Sequence, residues 1–125
     1  MSGNYTYLLD TNIVLYLLGG DNVLSAILNK KTVYVSFITE MELLSYGKFS
    51  ASEETKVKAF LSECNIVEMN LSIKSEAISI RKKYKLKLPD SIIASTAINL
   101  NIPLLTADAE FNKLKSMQIL QYNKQ

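Results

Sequence analysis

Short runs of aliphatic, aromatic and β-branched residues recur along this chain, and helical spacing fills the intervals between them. Tyr5-Thr6-Tyr7-Leu8-Leu9 reads as a first strand, Thr32-Val33-Tyr34-Val35 as a second and Asn65-Ile66-Val67-Glu68 as a third. Pro103-Leu104-Leu105-Thr106 reads as a fourth, and Ile119-Leu120 as a weak last strand. Strands separated by helices pair as parallel neighbours, because the crossover returns the chain to the same end of the sheet. The pattern therefore predicts an α/β domain, a parallel sheet sandwiched between helical layers. At 125 residues, with no repeat or linker, residues 1–125 suit a single domain.

The helical segments carry their own punctuation. Asn12 to Leu18 is apolar almost all round, which predicts a deeply packed helix starting near Thr11 or Asn12 and stopped by Gly19-Gly20. Asp21 to Asn29 predicts a short helix with Val23, Leu24, Ile27 and Leu28 as its apolar face, followed by a turn at Lys30-Lys31. Helical spacing resumes at Ser36 and closes at Gly47. Ser50-Ala51-Ser52-Glu53 has the form of a capping box. Leu71 to Tyr84 carries Ile73, Ala77 and Ile80 on one face. Pro89 suits the first position of a helix running from Asp90 to Leu100, and Asp108 to Leu114 predicts a last short one.

Composition excludes much chemistry. The chain has no His, which rules out Ser-His-Asp triads, His-Cys zinc sites and imidazole acid–base catalysis. Cys64 stands alone, so no internal disulfide forms, and an inert, buried thiol in a reducing compartment is expected. No apolar run approaches the roughly 20 residues of a membrane span, and the N-terminus lacks signal-peptide character, so a cytoplasmic protein with no membrane partner is expected. The net charge of +2 is too small to indicate a nucleic-acid partner by itself.

The remaining candidates are carboxylates, and their positions matter. Ligands of open α/β sheets collect beyond the carboxyl ends of the strands, where strand order reverses. Asp10 ends the first predicted strand, Asp108 follows the fourth, and Asp90 opens the helix leading into the fourth. Glu42 lies within the helix after the second strand, among Met41, Leu43 and Leu44. Each also has a structural reading: Asp10 and Asp108 as turn or N-cap residues, Asp90 as a complement to the helix dipole, and Glu42 in a capping box with Thr39. Gathered at one sheet end without a counter-ion, such acids would repel. A divalent cation relieves that repulsion, and carboxylate-only sites favour Mg²⁺ or Mn²⁺. Such an ion lowers the pKa of a bound water and polarises a phosphoryl oxygen, which phosphodiester hydrolysis without His requires.

Four segments together resemble the PIN-domain ribonucleases, and among them the VapC-type toxins of toxin–antitoxin pairs. They are Leu8-Leu9-Asp10-Thr11-Asn12; Val35 to Leu44 with Gly47 following; Leu88 to Ala97 around Pro89-Asp90; and Leu104-Leu105-Thr106-Ala107-Asp108 with Phe111 beyond. The resemblance spans essentially the full length. It implies a PIN-like three-layer sandwich with a central, mostly parallel sheet of about five strands. It also implies Mg²⁺- or Mn²⁺-dependent endoribonuclease activity, with Asp10, Glu42, Asp90 and Asp108 catalytic and Asp10, Asp90 and Asp108 on the metal. Thr106 and Asn12 would support the site. A homodimer and a cognate antitoxin docking on helices are the implied partners. Glu40 rivals Glu42, and the two would point about 200° apart on a helix, so only one can face the site. Whether Glu110 reaches a second metal is open.

Arg81-Lys82-Lys83-Tyr84-Lys85-Leu86-Lys87 lies directly before Asp90. Lys82, Lys83, Lys85 and Lys87 could hold an RNA backbone and Tyr84 could stack on a base, or the run could be a solvated helix end. Tyr5, Tyr7 and Tyr34 are expected to be structural strand residues. The apolar segments 13–18 and 23–28 fit core packing, with a dimer or antitoxin surface as the other reading. Competing functions are a haloacid-dehalogenase-like phosphohydrolase, disfavoured because Asn12 stands where a second Asp belongs, a non-catalytic Mg²⁺-binding regulatory module, and a PIN nuclease of RNA maturation.

Overall fold

The computed structural model describes residues 5–124. In chain order the elements are β1 (Thr6–Leu9), α1 (Thr11–Leu18), α2 (Asn22–Leu28), β2 (Thr32–Ser36), α3 (Phe37–Leu44), α4 (Ala51–Glu63) and β3 (Asn65–Val67). There follow α5 (Leu71–Tyr84), α6 (Leu88–Leu100), β4 (Leu104–Thr106), a 3-10 turn (Ala109–Lys113) and β5 (Ile119–Gln121). The five strands form one sheet in the order β3-β2-β1-β4-β5, and every pairing is parallel.

Register divides the core into two layers. Leu8 aligns with Tyr34 and Leu104, and Leu9 with Val35 and Leu105. Successive side chains on a strand face opposite ways, so these two rows point to opposite faces. Leu9, Val35 and Leu105 pack with Ile13, Val14, Leu24, Leu28, Leu43, Val57 and Leu61, which come from α1 to α4. Leu8 and Leu104 pack with Ile80, Ile93, Ala94 and Ala97 of α5 and α6, together with Phe111 and Leu114. The expected three-layer α/β sandwich is the observed fold.

Strand order also locates the switch point. After β1 the chain moves outward through β2 to β3, then returns so that β4 lies on the other side of β1. The crossovers on either side of the β1–β4 pair thus diverge, opening a crevice beyond their carboxyl ends. Leu8 N–H bonds to Pro103 O at 2.9 Å and Asp10 N–H to Leu105 O at 3.3 Å, which fixes the crevice floor.

Several sequence expectations need correcting. Tyr5 precedes β1 and is exposed, whereas Tyr7 and Tyr34 are half-buried strand residues. Helix α1 is not deeply packed all round: Ile13 and Val14 are buried, but Leu15 is exposed. On α2 only Leu24 and Leu28 are buried, while Val23 and Ile27 face outward, because a helix of two turns offers one narrow stripe to the sheet. Helix α6 starts at Leu88, which makes Pro89 its second residue. That position is equally tolerant of proline, since its N–H has no partner within the helix. The third strand ends at Val67, and the segment after Asp108 is a 3-10 turn rather than an α-helix. Glycines end α1 as expected; Gly20 adopts φ +97°, which a residue with a Cβ rarely does. No single helix among the described residues is long and apolar enough to cross a membrane.

Candidate metal centre

Asp10 is where β1 becomes α1. It is 5% exposed and serves as the N-cap of α1, its Oδ1 accepting Ile13 N–H at 3.1 Å. Its Oδ2 accepts from the hydroxyl of Thr106 at the end of β4. Thr106 Oγ1 in turn accepts Asp108 N–H at 3.0 Å. A buried threonine thus ties together the two acids that follow the paired strands β1 and β4. Asp108 caps the 3-10 turn, its Oδ1 accepting Glu110 N–H at 2.9 Å. The capping readings of both residues are correct, and they do not compete with a place in the site.

Glu42 is held from the neighbouring helix. Thr11 Oγ1 donates to Glu42 Oε1 at 2.5 Å and lies 3.1 Å from Thr39 Oγ1, so a hydroxyl pair braces the carboxylate. No capping box forms with Thr39, because the N-cap of α3 is Ser36, whose Oγ accepts Ile38 N–H. Glu40 lies away from these acids, in shallow apolar depressions with Met41, Leu44, Lys58 and Ile66.

Asp10, Glu42, Asp90 and Asp108 line one open cleft of about 240 Å³, together with Thr11, Asn12, Lys87, Pro89 and Ile93. Its electrostatics follow from that gathering. The Asp90 carboxyl is pushed up to about 6, first by burial and then by the charges of Asp108 and Asp10, with Lys87 opposing and Glu42 adding. Burial also raises Asp10; the Thr106 hydroxyl and Ile13 N–H counteract this and the Asp108 charge reinforces it.

Of the four lysines singled out from sequence, Lys87 lines the cleft, while Lys82, Lys83 and Lys85 are exposed and are not among its lining residues. Tyr84 is half-buried against the α5–α6 core, with Lys83 Nζ 5.3 Å from its ring centre. Glu110 pairs with Lys113 at 2.7 Å, and that cation lowers its pKa. Cys64 is half-buried rather than buried, and burial followed by the Glu63 charge drives its thiol up to about 11, far from a reactive thiolate. Sequence reasoning missed Thr11 and gave Thr39 only a capping role. The signal available was the three-residue spacing of Thr39 and Glu42, which sets them on one helix face.

The donor set fits a hard divalent cation: carboxylates, hydroxyls and no imidazole or thiolate. Among the described residues no three acids already stand at ligating distance around one point. Water would therefore complete much of an ion's shell, an arrangement Mg²⁺ favours.

The sequence profile of the PIN domain matches residues 7–116, and the chain belongs to that family. Its solved relatives include a chain of the toxin–antitoxin complex from Klebsiella pneumoniae, 29% identical over 92% of this chain and 96% of that one, with a TM-score of 0.78. VapBC2 from Rickettsia felis, bound to a DNA fragment from their promoter, matches at 25% identity over 94% and 99%, with a TM-score of 0.79. VapBC-1 from nontypeable Haemophilus influenzae matches at 25% over 93% and 97%, with a TM-score of 0.75. No curated protein sequence matches significantly. Membership of the PIN family sets aside the haloacid-dehalogenase-like phosphohydrolase.

Proposed function

We propose that the chain is the nuclease toxin of a toxin–antitoxin pair, a cytoplasmic endoribonuclease dependent on Mg²⁺ or Mn²⁺. The observation that carries this reading is the cleft itself: four carboxylates from four separate segments line it beyond the carboxyl ends of the paired strands β1 and β4. Asp10, Asp90 and Asp108 are proposed as metal ligands and Glu42 as a further catalytic acid. Asn12 lines the cleft beside them and Thr106 supports it from beneath. A bound divalent ion would supply an activated water and neutralise charge developing on the phosphoryl group. The protein's own part is orientation. Thr106 keeps Asp10 and the Asp108 backbone in register, and Thr11 holds Glu42 at the rim. Lys82, Lys83 and Lys85 add positive charge along the approach, suited to a polyanion.

The toxin role draws on the relatives, whose solved forms are toxin–antitoxin complexes. It is supported by apolar surface at Leu15, Val23 and Ile27, which are 36%, 47% and 36% exposed and suit an antitoxin or a second copy. The deciding assay incubates purified protein with structured RNAs and either metal, beside Asp10→Asn and an EDTA control. Metal-dependent cleavage lost in the variant supports the reading. RNA left intact by the wild-type chain with both metals, free of any inhibitor, overturns it.

A further inference from the structure

Lys87 differs from the rest of its basic run in how it is held. It is the N-cap of α6, and its carbonyl accepts Ser91 N–H at 2.9 Å and Ser91 Oγ at 3.0 Å. Leu86 before it is buried, and the Leu86 carbonyl accepts from Arg81 Nη1 at 3.4 Å. Pro89 follows two residues later, inside the helix. The backbone at Lys87 is therefore fixed from both sides, at a residue that lines the acid cleft.

Its charge is felt there without being consumed. Lys87 lowers the pKa of both Asp90 and Glu110, yet among the described residues its ammonium closes no ion pair. The neighbouring Glu110 carboxylate is already bound to Lys113. A cation at the edge of a cleft of four acids, closing no ion pair among the described residues, can accept an anion entering beside them.

We propose that Lys87 is the phosphate anchor of this cleft: its ammonium receives a non-bridging oxygen of the RNA phosphate that enters beside Asp90. Lys82, Lys83 and Lys85 contribute only diffuse attraction. This rests on the ribonuclease reading above. It makes Lys87 a contact to the backbone, blind to base identity, and independent of any metal.

The test is binding by fluorescence anisotropy of short labelled single-stranded RNAs of two unrelated sequences, in EDTA so that no cleavage occurs, across a salt series. Lys87→Ala is expected to weaken both RNAs by roughly fivefold at about 50 mM salt and to reduce the salt slope by about one. Lys87→Arg should restore the slope, because a charge and not the ammonium's shape is required. Equal melting temperatures of the three proteins would show that the fold is intact. Wild-type binding with an unchanged Lys87→Ala overturns the anchor alone, as does an arginine variant no better than alanine. Failure of the wild-type chain to bind either RNA in EDTA at low salt overturns the anchor, which needs no metal, while the ribonuclease reading is decided by the metal-dependent cleavage assay above.

Discussion

Asp90→Asn should make the metal-free protein more stable while destroying the proposed activity. Asp90 is ionised at neutral pH against partial burial and the charges of Asp108, Asp10 and Glu42, with the Lys87 cation opposing them. A carboxyl displaced from its ordinary 3.8 to about 6 carries up to ~3 kcal/mol of destabilisation once ionised. The cleft is open to water, which screens those charges, so ~1–2 kcal/mol is the part expected to be felt. The amide removes the charge and keeps the shape, and among the described residues no hydrogen bond holds the Asp90 carboxylate, so none is broken.

The sign of the pH dependence follows. Below about pH 4 the group is protonated in folded and unfolded chains alike, and the variant gains nothing. Between about pH 4 and 6 the unfolded chain ionises while the folded one keeps its proton, so wild-type stability falls as pH rises. Above about 6 the penalty is complete. In EDTA, Asp90→Asn should therefore melt about 3–8 °C above wild type near pH 7.5, and the gap should shrink at about pH 5. Equal melting temperatures at pH 7.5, or a gap that does not shrink at pH 5, would refute the reasoning.

Other outcomes are equally specific. Thr106→Val removes the hydroxyl that donates to Asp10 and accepts Asp108 N–H; a loss of ~1–3 kcal/mol in denaturant melts is expected, with Thr106→Ser retaining most of it. Glu42→Gln should reduce RNA cleavage at least tenfold, whereas Glu40→Gln, away from the cleft, should leave the rate within about twofold, on the scale usual for losing or keeping a catalytic polar group. Saturating Mn²⁺ should raise the wild-type melting temperature, with ~2.7 kcal/mol of stabilisation at a hundredfold excess over the dissociation constant; Asp10→Asn should lose that rise in calorimetry. Tyr122→Phe deletes the 2.7 Å bond from Tyr122 O–H to Asp21 Oδ2, and a cost of ~1 kcal/mol is expected in thermal unfolding, with cleavage unaffected.

The strand–helix alternation was readable because each strand is a compact β-branched or aliphatic run, and parallel pairing then followed from the helical crossovers. What sequence could not supply was which side of a short helix meets the sheet. On α2, Val23 and Leu24 are equally apolar in composition, and only the bend of 112° between α1 and α2 decides that Leu24 turns inward. The acids were readable as candidates because strand ends mark the switch point. The bracing of Glu42 by Thr11 was not, since it joins residues 31 positions apart through the approach of two helices. Lys87 was lost among its neighbours for a related reason: charge runs look uniform in sequence, and the turn at Lys85, with φ of +61°, is what sends Lys87 to the cleft.

The four acids differ in how the fold restrains them, and that difference orders what an ion would change. Asp10 and Asp108 are helix caps, so backbone N–H groups hold their oxygens and offset part of the cost of gathering charge. Glu42 leans on a single hydroxyl from another helix. Asp90 is placed by its position in the first turn of α6 and bears the repulsion of the other three. A cation entering the cleft would thus relieve Asp90 most and shift the two caps least. The caps give the site its geometry, and the strain left on Asp90 gives it an appetite for positive charge, whether from a metal or from the lysine three residues before it.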